Sequence, residues 1–165
     1  MIKPILQKDS APVLRQIAQP VDSSEFNSND LKKTLQNMSD TLDATPDGVA
    51  IAAPQIGISQ RIFVVSHKIF DWGEEEPYNI EFINPVITKK SKRVKTMDEG
   101  CLSVRNYFGQ TKRAEKVTVE AYNYFGQKFN YNGSGLLAQI FQHETDHLDG
   151  ILFSDHAKNV HEIND

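Results

Sequence analysis

The stretch Leu136-Leu137-Ala138-Gln139-Ile140-Phe141-Gln142-His143-Glu144-Thr145-Asp146-His147-Leu148 carries the spacing H-E-x-x-H. On a helix turning about 100° per residue, His143 and His147 point within about 40° of each other, so two imidazoles reach one ion. Glu144 falls about 60° beyond His147, beside such an ion without being forced onto it, which suits a base acting on water that a metal acidifies. Leu136, Leu137, Ile140, Phe141 and Leu148 share that broad arc, while Gln142, Thr145 and Asp146 fall opposite. The histidines therefore sit on the inward side of an amphipathic helix. A lone histidine pair on a helix is more often structural, and the apolar flanks are what favour a metal site here.

A catalytic zinc-type site takes three protein ligands and leaves one position for water. The third histidine of a metzincin pattern would fall on Phe153. His156, His161 and Glu162 follow in a polar tail and are weak candidates. The only cysteine, Cys101, rules out an internal disulfide and any multi-cysteine zinc knuckle, and leaves a buried spectator, a nucleophile or a single metal ligand. It lies in Glu99-Gly100-Cys101-Leu102-Ser103, a polar, glycine-containing context unlike that of a spectator. Beside a divalent ion it would bind as thiolate.

These residues need elements to place them. The H-E-x-x-H helix should start near Ser134 and stop at Gly150, a residue suited to a C-terminal cap. A short helix is expected over 12–18, with Ser10 near its cap and Pro20 closing it. A longer one is expected over about 30–44, where Leu31, Leu35, Met38 and Leu42 repeat at helical spacing. Thr45-Pro46-Asp47-Gly48 breaks it, and from there to about residue 133 the pattern is β-like. Arg61-Ile62-Phe63-Val64-Val65 reads as a buried strand, and Val117-Thr118-Val119-Glu120-Ala121-Tyr122 alternates strictly. Asn84-Pro85 and Phe125-Gly126 read as turns, and 67–79, with Glu74-Glu75-Glu76, as an exposed loop. Strands preceding and surrounding one central helix indicate an α+β fold. With no repeat or linker, the chain reads as one domain over 1–165.

Composition bounds what such a domain does. Hydrophobic residues at 39% and charged residues at 24% are those of an ordinary soluble protein. A net charge of −4 gives no overall pull toward nucleic acid or anionic membrane, so no sequence-specific nucleic-acid partner is expected. No apolar run approaches the roughly 20 residues of a membrane helix. Met1-Ile2-Lys3-Pro4 lacks the apolar stretch of a signal peptide, which makes a cytoplasmic address the expectation. Lys89, Lys90, Lys92, Arg93 and Lys95 form the only basic cluster. It reads first as a solvated strand or hairpin face, since charged edges prevent sheet-to-sheet aggregation, and second as a docking patch for RNA or the ribosome.

Taken together, the motifs resemble the peptide deformylases, a family marked by G-x-G-L-A-A-x-Q, then E-G-C-L-S, then H-E-x-D-H-L-x-G. This chain has Gly48-Val49-Ala50-Ile51-Ala52-Ala53-Pro54-Gln55, then Glu99 to Ser103 intact, then His143-Glu144-Thr145-Asp146-His147-Leu148-Asp149-Gly150 intact. Arg113-Ala114-Glu115-Lys116-Val117 is also familiar for the family. The departures are Ala50 for a glycine, Ile51 for a leucine, and Arg105 where many relatives have proline.

The resemblance implies β-sheets surrounding a central metal-binding helix, and removal of the formyl group from N-formylmethionyl peptides with release of formate. It implies that Cys101, His143 and His147 hold one divalent metal, usually iron(II), with zinc, nickel or cobalt as other occupants. Glu144 then serves as general base, while the side-chain amide of Gln55 and the backbone N–H of Leu102 hold the oxyanion. Gly48, Ala50, Ile51 and Gly100 are expected along the peptide and Ile140 at the methionine side chain. Glu99 is expected to orient the site from behind, and Asp146 and Asp149 to be structural. Two rivals are a small H-E-x-x-H metallopeptidase, which needs a downstream third ligand, and a noncatalytic metal-binding domain, which needs a fourth protein ligand.

Overall fold

The computed structural model describes residues 1–163. In chain order its main elements are α1 (Asn29–Asp43), β1 (Ala50–Ala52), β2 (Ile62–Val65), β3 (Ile80–Lys90), β4 (Val94–Cys101), β5 (Val104–Ala114), β6 (Lys116–Tyr122), β7 (Lys128–Ser134), α2 (Leu136–Leu148) and β8 (Lys158–Glu162). Five strands pair antiparallel in the order β1-β2-β3-β6-β7, and three in the order β4-β5-β8. No helix among the described residues is long and apolar enough to cross a membrane.

The apolar run in β2 is explained by its two covered faces. Phe63 and Val65 join Phe82, Val117, Val119, Ala121 and Phe141 in a core against α2. Ile62 and Val64 point the other way, to Leu31, Leu35, Met38 and Leu42 of α1. Burying each such side chain contributes about 1.5–3 kcal/mol. Helix α1 starts where Ser28 Oγ accepts from Leu31 N–H at 3.1 Å, an N-cap that fixes the helix just ahead of its apolar stripe.

Helix α2 is enclosed by both sheets, touching β1, β2, β3, β5, β6 and β7. The face opposite the histidines is therefore largely covered, with Thr145 and Asp146 only partly exposed. Gln142 is 5% exposed. It is satisfied by Ala114 N–H, Ala114 C=O and Ala138 C=O at 2.9–3.0 Å. Asp146 and Asp149 are structural, as expected, accepting from Arg113 Nη1 at 2.8 Å and Arg61 Nη2 at 3.0 Å. Gly150 follows the helix with φ +74°, and a Cβ there would lie 2.6 Å from Arg15 O.

Three expectations are corrected. The helix over 12–18 is only a 3-10 turn at Pro12–Arg15, because Gln16 is extended and Ala18 N–H donates to Leu148 C=O at 2.8 Å. Asn84-Pro85 is a bulge inside β3, where Asn84 has φ +49° and its amide pairs with Val21 N–H and C=O. Proline has no N–H for the ladder, and the bulge accommodates that gap. The polar tail forms β8 on β5.

Candidate active site

Cys101 ends β4, and the two-residue turn Leu102, Ser103 returns the chain into β5. Ser103 N–H donates to Cys101 Sγ at 3.4 Å, so the turn itself aims the sulfur. His143 and His147 present their rings edge to face, centroids 4.9 Å apart. Cys101 Sγ lies 3.2 Å from His147 Nε2, and the ligand atoms of Cys101, His143 and His147 all fall within 4.8 Å of one another. Three such donors could hold one divalent ion, and no fourth His, Cys, Asp or Glu joins them among the described residues.

The charges around this cluster favour that use. Burial pushes the Cys101 thiol up, yet the neighbouring His147 and His143 imidazoles outweigh it and bring the pKa down to about 5. Behind His143, Glu99 Oε2 accepts from Nδ1 at 2.9 Å, which leaves Nε2 for the cluster. Glu99 is itself 5% exposed and fully engaged. Arg113 donates to it at 3.0 and 2.6 Å, Thr111 Oγ1 at 3.0 Å and Gln139 Nε2 at 3.2 Å. Burial raises the Glu99 carboxyl, but its bonds to His143 and Arg113 win and hold it far below the ordinary range.

Glu144 is also buried, 4% exposed, and its Oε2 has no hydrogen-bond partner among the described residues. Burial raises its pKa, opposed by the two histidines. Gln55 sits in the 3-10 turn after β1, 1% exposed. Ala52 N–H donates to its Oε1 at 2.9 Å, which turns Nε2 toward Ser103 Oγ at 3.1 Å and Cys101 Sγ at 3.9 Å.

A cleft of about 530 Å³ opens over these groups. Gln55, Cys101, Leu102, His143 and Glu144 line it, together with Ala50, Gly100 and Ile140. His147 lies beneath, 1% exposed. Two expected residues are not brought to the cleft. Ile51 is wholly buried with its side chain in the core against α1, because alternate residues of a strand face opposite ways. Gly48 is packed under Leu42 and Thr45. Sequence reasoning missed Arg113, Thr111 and Gln139 as partners of Glu99, and Ser103 as the partner of Gln55. Arg113 stood in a stretch with family character, which was the one available signal.

The downstream ligand that a metallopeptidase requires is not found among the described residues. Phe153 stacks near His143, centroids 6.4 Å apart. His156 lies 3.6 Å from Asp146, and His161 pairs with Phe108 across β8 and β5.

A family model described as Polypeptide deformylase matches residues 2–162. The chain belongs to the polypeptide deformylase family. Similar curated proteins include a peptide deformylase of Desulfitobacterium hafniense, 48% identical over 149 residues and 90% of each chain. Another is peptide deformylase 2 of Clostridium acetobutylicum, 44% identical over 143 residues and 87% of each. Among solved structures, class I type b peptide deformylase from Acinetobacter baumannii bound to Met-Ala-Ser superposes with a TM-score of 0.83 at 34% identity, covering 94% of this chain and 99% of that one. The deformylase fold is thus α+β, as the motifs implied, and the family's reaction is hydrolytic removal of the formyl group from N-formylmethionyl peptides.

Proposed function

We propose that this deformylase acts through a divalent ion held by Cys101, His143 and His147, with Glu144 as general base. The observation that supports this most directly is a thiolate and two imidazoles converging beside a buried carboxylate, Glu144, whose Oε2 has no hydrogen-bond partner among the described residues. When bound, an ion at this donor set supplies Lewis acidity and acidifies water; iron(II) is our assignment, and zinc, nickel and cobalt also suit such ligands.

Glu144 takes the proton of the attacking water and returns it to the departing amine. Gln55 Nε2, held in direction by Ala52, donates to the oxyanion together with the N–H of Leu102. Glu99 and Arg113 keep His143 in the required tautomer and orientation. Among the described residues, strand β1 pairs only with β2, so its other edge is open to an extended peptide that adds as a strand. Ala50 borders that peptide directly, while Gly48 and Ile51 act only through the main chain. Gly100 lies opposite, and Ile140 contributes to the methionine pocket. That the A. baumannii relative binds Met-Ala-Ser supports a peptide beginning with methionine as the ligand.

We read the whole chain as one catalytic domain acting in the cytoplasm, where newly made chains carry the formyl group. Contact with the ribosome is the finer part of this reading. It is carried by Lys89, Lys90, Lys92, Arg93 and Lys95, all exposed where β3 passes into β4.

Formate release from formyl-Met-Ala-Ser, compared with acetate release from acetyl-Met-Ala-Ser, tests the assignment. The formyl carbon carries only hydrogen, so a close-walled site excludes the acetyl methyl. Fast release from the first and negligible release from the second is expected; similar rates would instead indicate a general amidase.

A further inference from the structure

The two walls of the cleft belong to different sheets, and one ion pair joins them. Asp47 stands in the loop that leads from α1 into β1. Arg105 stands in β5 just after the turn at Leu102 and Ser103. Gly100 pairs with Phe108 but Cys101 pairs with Val104, so Arg105, Asn106 and Tyr107 are looped out of the β4–β5 ladder, and Tyr107 pairs instead with Glu162 of β8. Arg105 Nη1 lies 3.0 Å from Asp47 Oδ2, and both residues line the cleft.

The direction of a bound peptide follows from β1. Gln55, beside the ligand cluster, comes after the C-terminal end of β1, and Asp47 comes before its N-terminal end. A peptide with its formyl group at the cluster and its backbone along the free edge therefore runs antiparallel to β1 and leaves past Asp47. Strands rise about 3.3 Å per residue, so the three residues of β1 match about three residues of substrate.

We propose that the Asp47–Arg105 ion pair is a latch across the exit of the peptide cleft, and that it sets discrimination by substrate length. This rests on the deformylase reading of the cleft. A formylmethionine derivative with nothing beyond its first residue fits behind the latch, whereas a longer chain must part it. The pair is suited to parting, because its side chains are 44% and 65% exposed and water competes for both. The backbone of the looped segment need not move, since Ile163 N–H donates to Asn106 C=O at 2.7 Å and Gln7 Oε1 accepts from Arg105 N–H at 3.4 Å. Only the Arg105 side chain has to swing.

The test is steady-state kinetics on formylmethionine amide, formyl-Met-Ala-Ser and a longer uncharged formyl-peptide, with Asp47→Asn, Arg105→Gln and the double variant. Each single variant should lower KM for the two peptides about two- to fivefold, the usual worth of an exposed ion pair, with kcat unchanged. Formylmethionine amide should respond to neither. The double variant should match the singles, and about 0.5 M NaCl should bring the unmodified protein toward them by screening. If Arg105 instead contacts the peptide directly, the two single variants would shift KM in opposite directions, and the latch is wrong. Equal shifts for formylmethionine amide, or no shift at all, would also overturn it. Failure of the unmodified protein to turn over any formylated substrate would overturn the deformylase reading itself.

Discussion

Two buried glutamates flank the ligand cluster, and their surroundings assign them different work. Glu99 accepts from His143, Arg113, Thr111 and Gln139, so it is fixed and holds His143 in place. Glu144 has an oxygen without a partner among the described residues, and burial raises its pKa. A carboxylate left this way is disposed to take and return a proton. Replacing Glu144 by glutamine keeps the volume and the three proposed ligands while removing the proposed base. Metal content measured on the purified variant should be retained, and formate release should fall by at least about 10²–10⁴-fold. Loss of the metal along with activity would instead make Glu144 a ligand, and a metal-replete, active variant would remove it from the mechanism. The sequence made His143, Glu144 and His147 legible because helical spacing is local. Arg113, Thr111 and Gln139 reach Glu99 through the β4–β5 ladder and the packing of α2, and no spacing along the chain encodes that meeting.

Among the elements, α2 was the most legible, and its C-terminal end shows why. Leu148 leaves its carbonyl to Ala18 N–H at 2.8 Å, and Gly150 turns away with φ +74° against the backbone of Arg15. Only glycine fits both the dihedral and the contact. Gly150→Ala should destabilise the fold by about 2–3 kcal/mol, combining the left-handed penalty with a backbone clash. For a chain of this size that lowers Tm by about 5–10 °C. A melt of the variant within a degree or two of the parent would mean that the 3-10 turn at Pro12–Arg15 gives way freely. Other elements were hidden for physical reasons. The turn at Leu102 and Ser103 contains no glycine or asparagine to mark it. Strand β8 is exposed along its whole length, so it has no apolar alternation, and its order comes from pairing with β5. Asn84-Pro85 carries a genuine turn signal that β3 absorbs as a bulge.

At the level of the whole molecule, the candidate site draws on both layers that enclose α2. Cys101 comes from the three-stranded sheet, the two histidines from the helix, and Gln55 from the turn after the edge strand of the five-stranded sheet. That enclosure also explains why Gln142, which the helical wheel sets opposite the metal-facing arc, is buried, since that side of a helix covered by both sheets meets protein. An ion held by Cys101 and α2 as proposed would fasten the smaller sheet to the core of the larger one, so metal occupancy and global stability should be linked. An ion at about 100 times its dissociation constant stabilises the native state by about 2.7 kcal/mol. In a chain of this length that is about 5–10 °C in Tm. Melting the protein before and after chelation, with metal content measured on each sample, should show a fall of that size, reversed on adding the ion back. In Cys101→Ala, which retains only the two histidines, the difference between the chelated and metal-supplied samples should largely vanish. An unchanged Tm after verified metal loss would show that the relay from Arg113 through Glu99 to His143 already holds the cradle rigid, and that the ion serves the reaction alone.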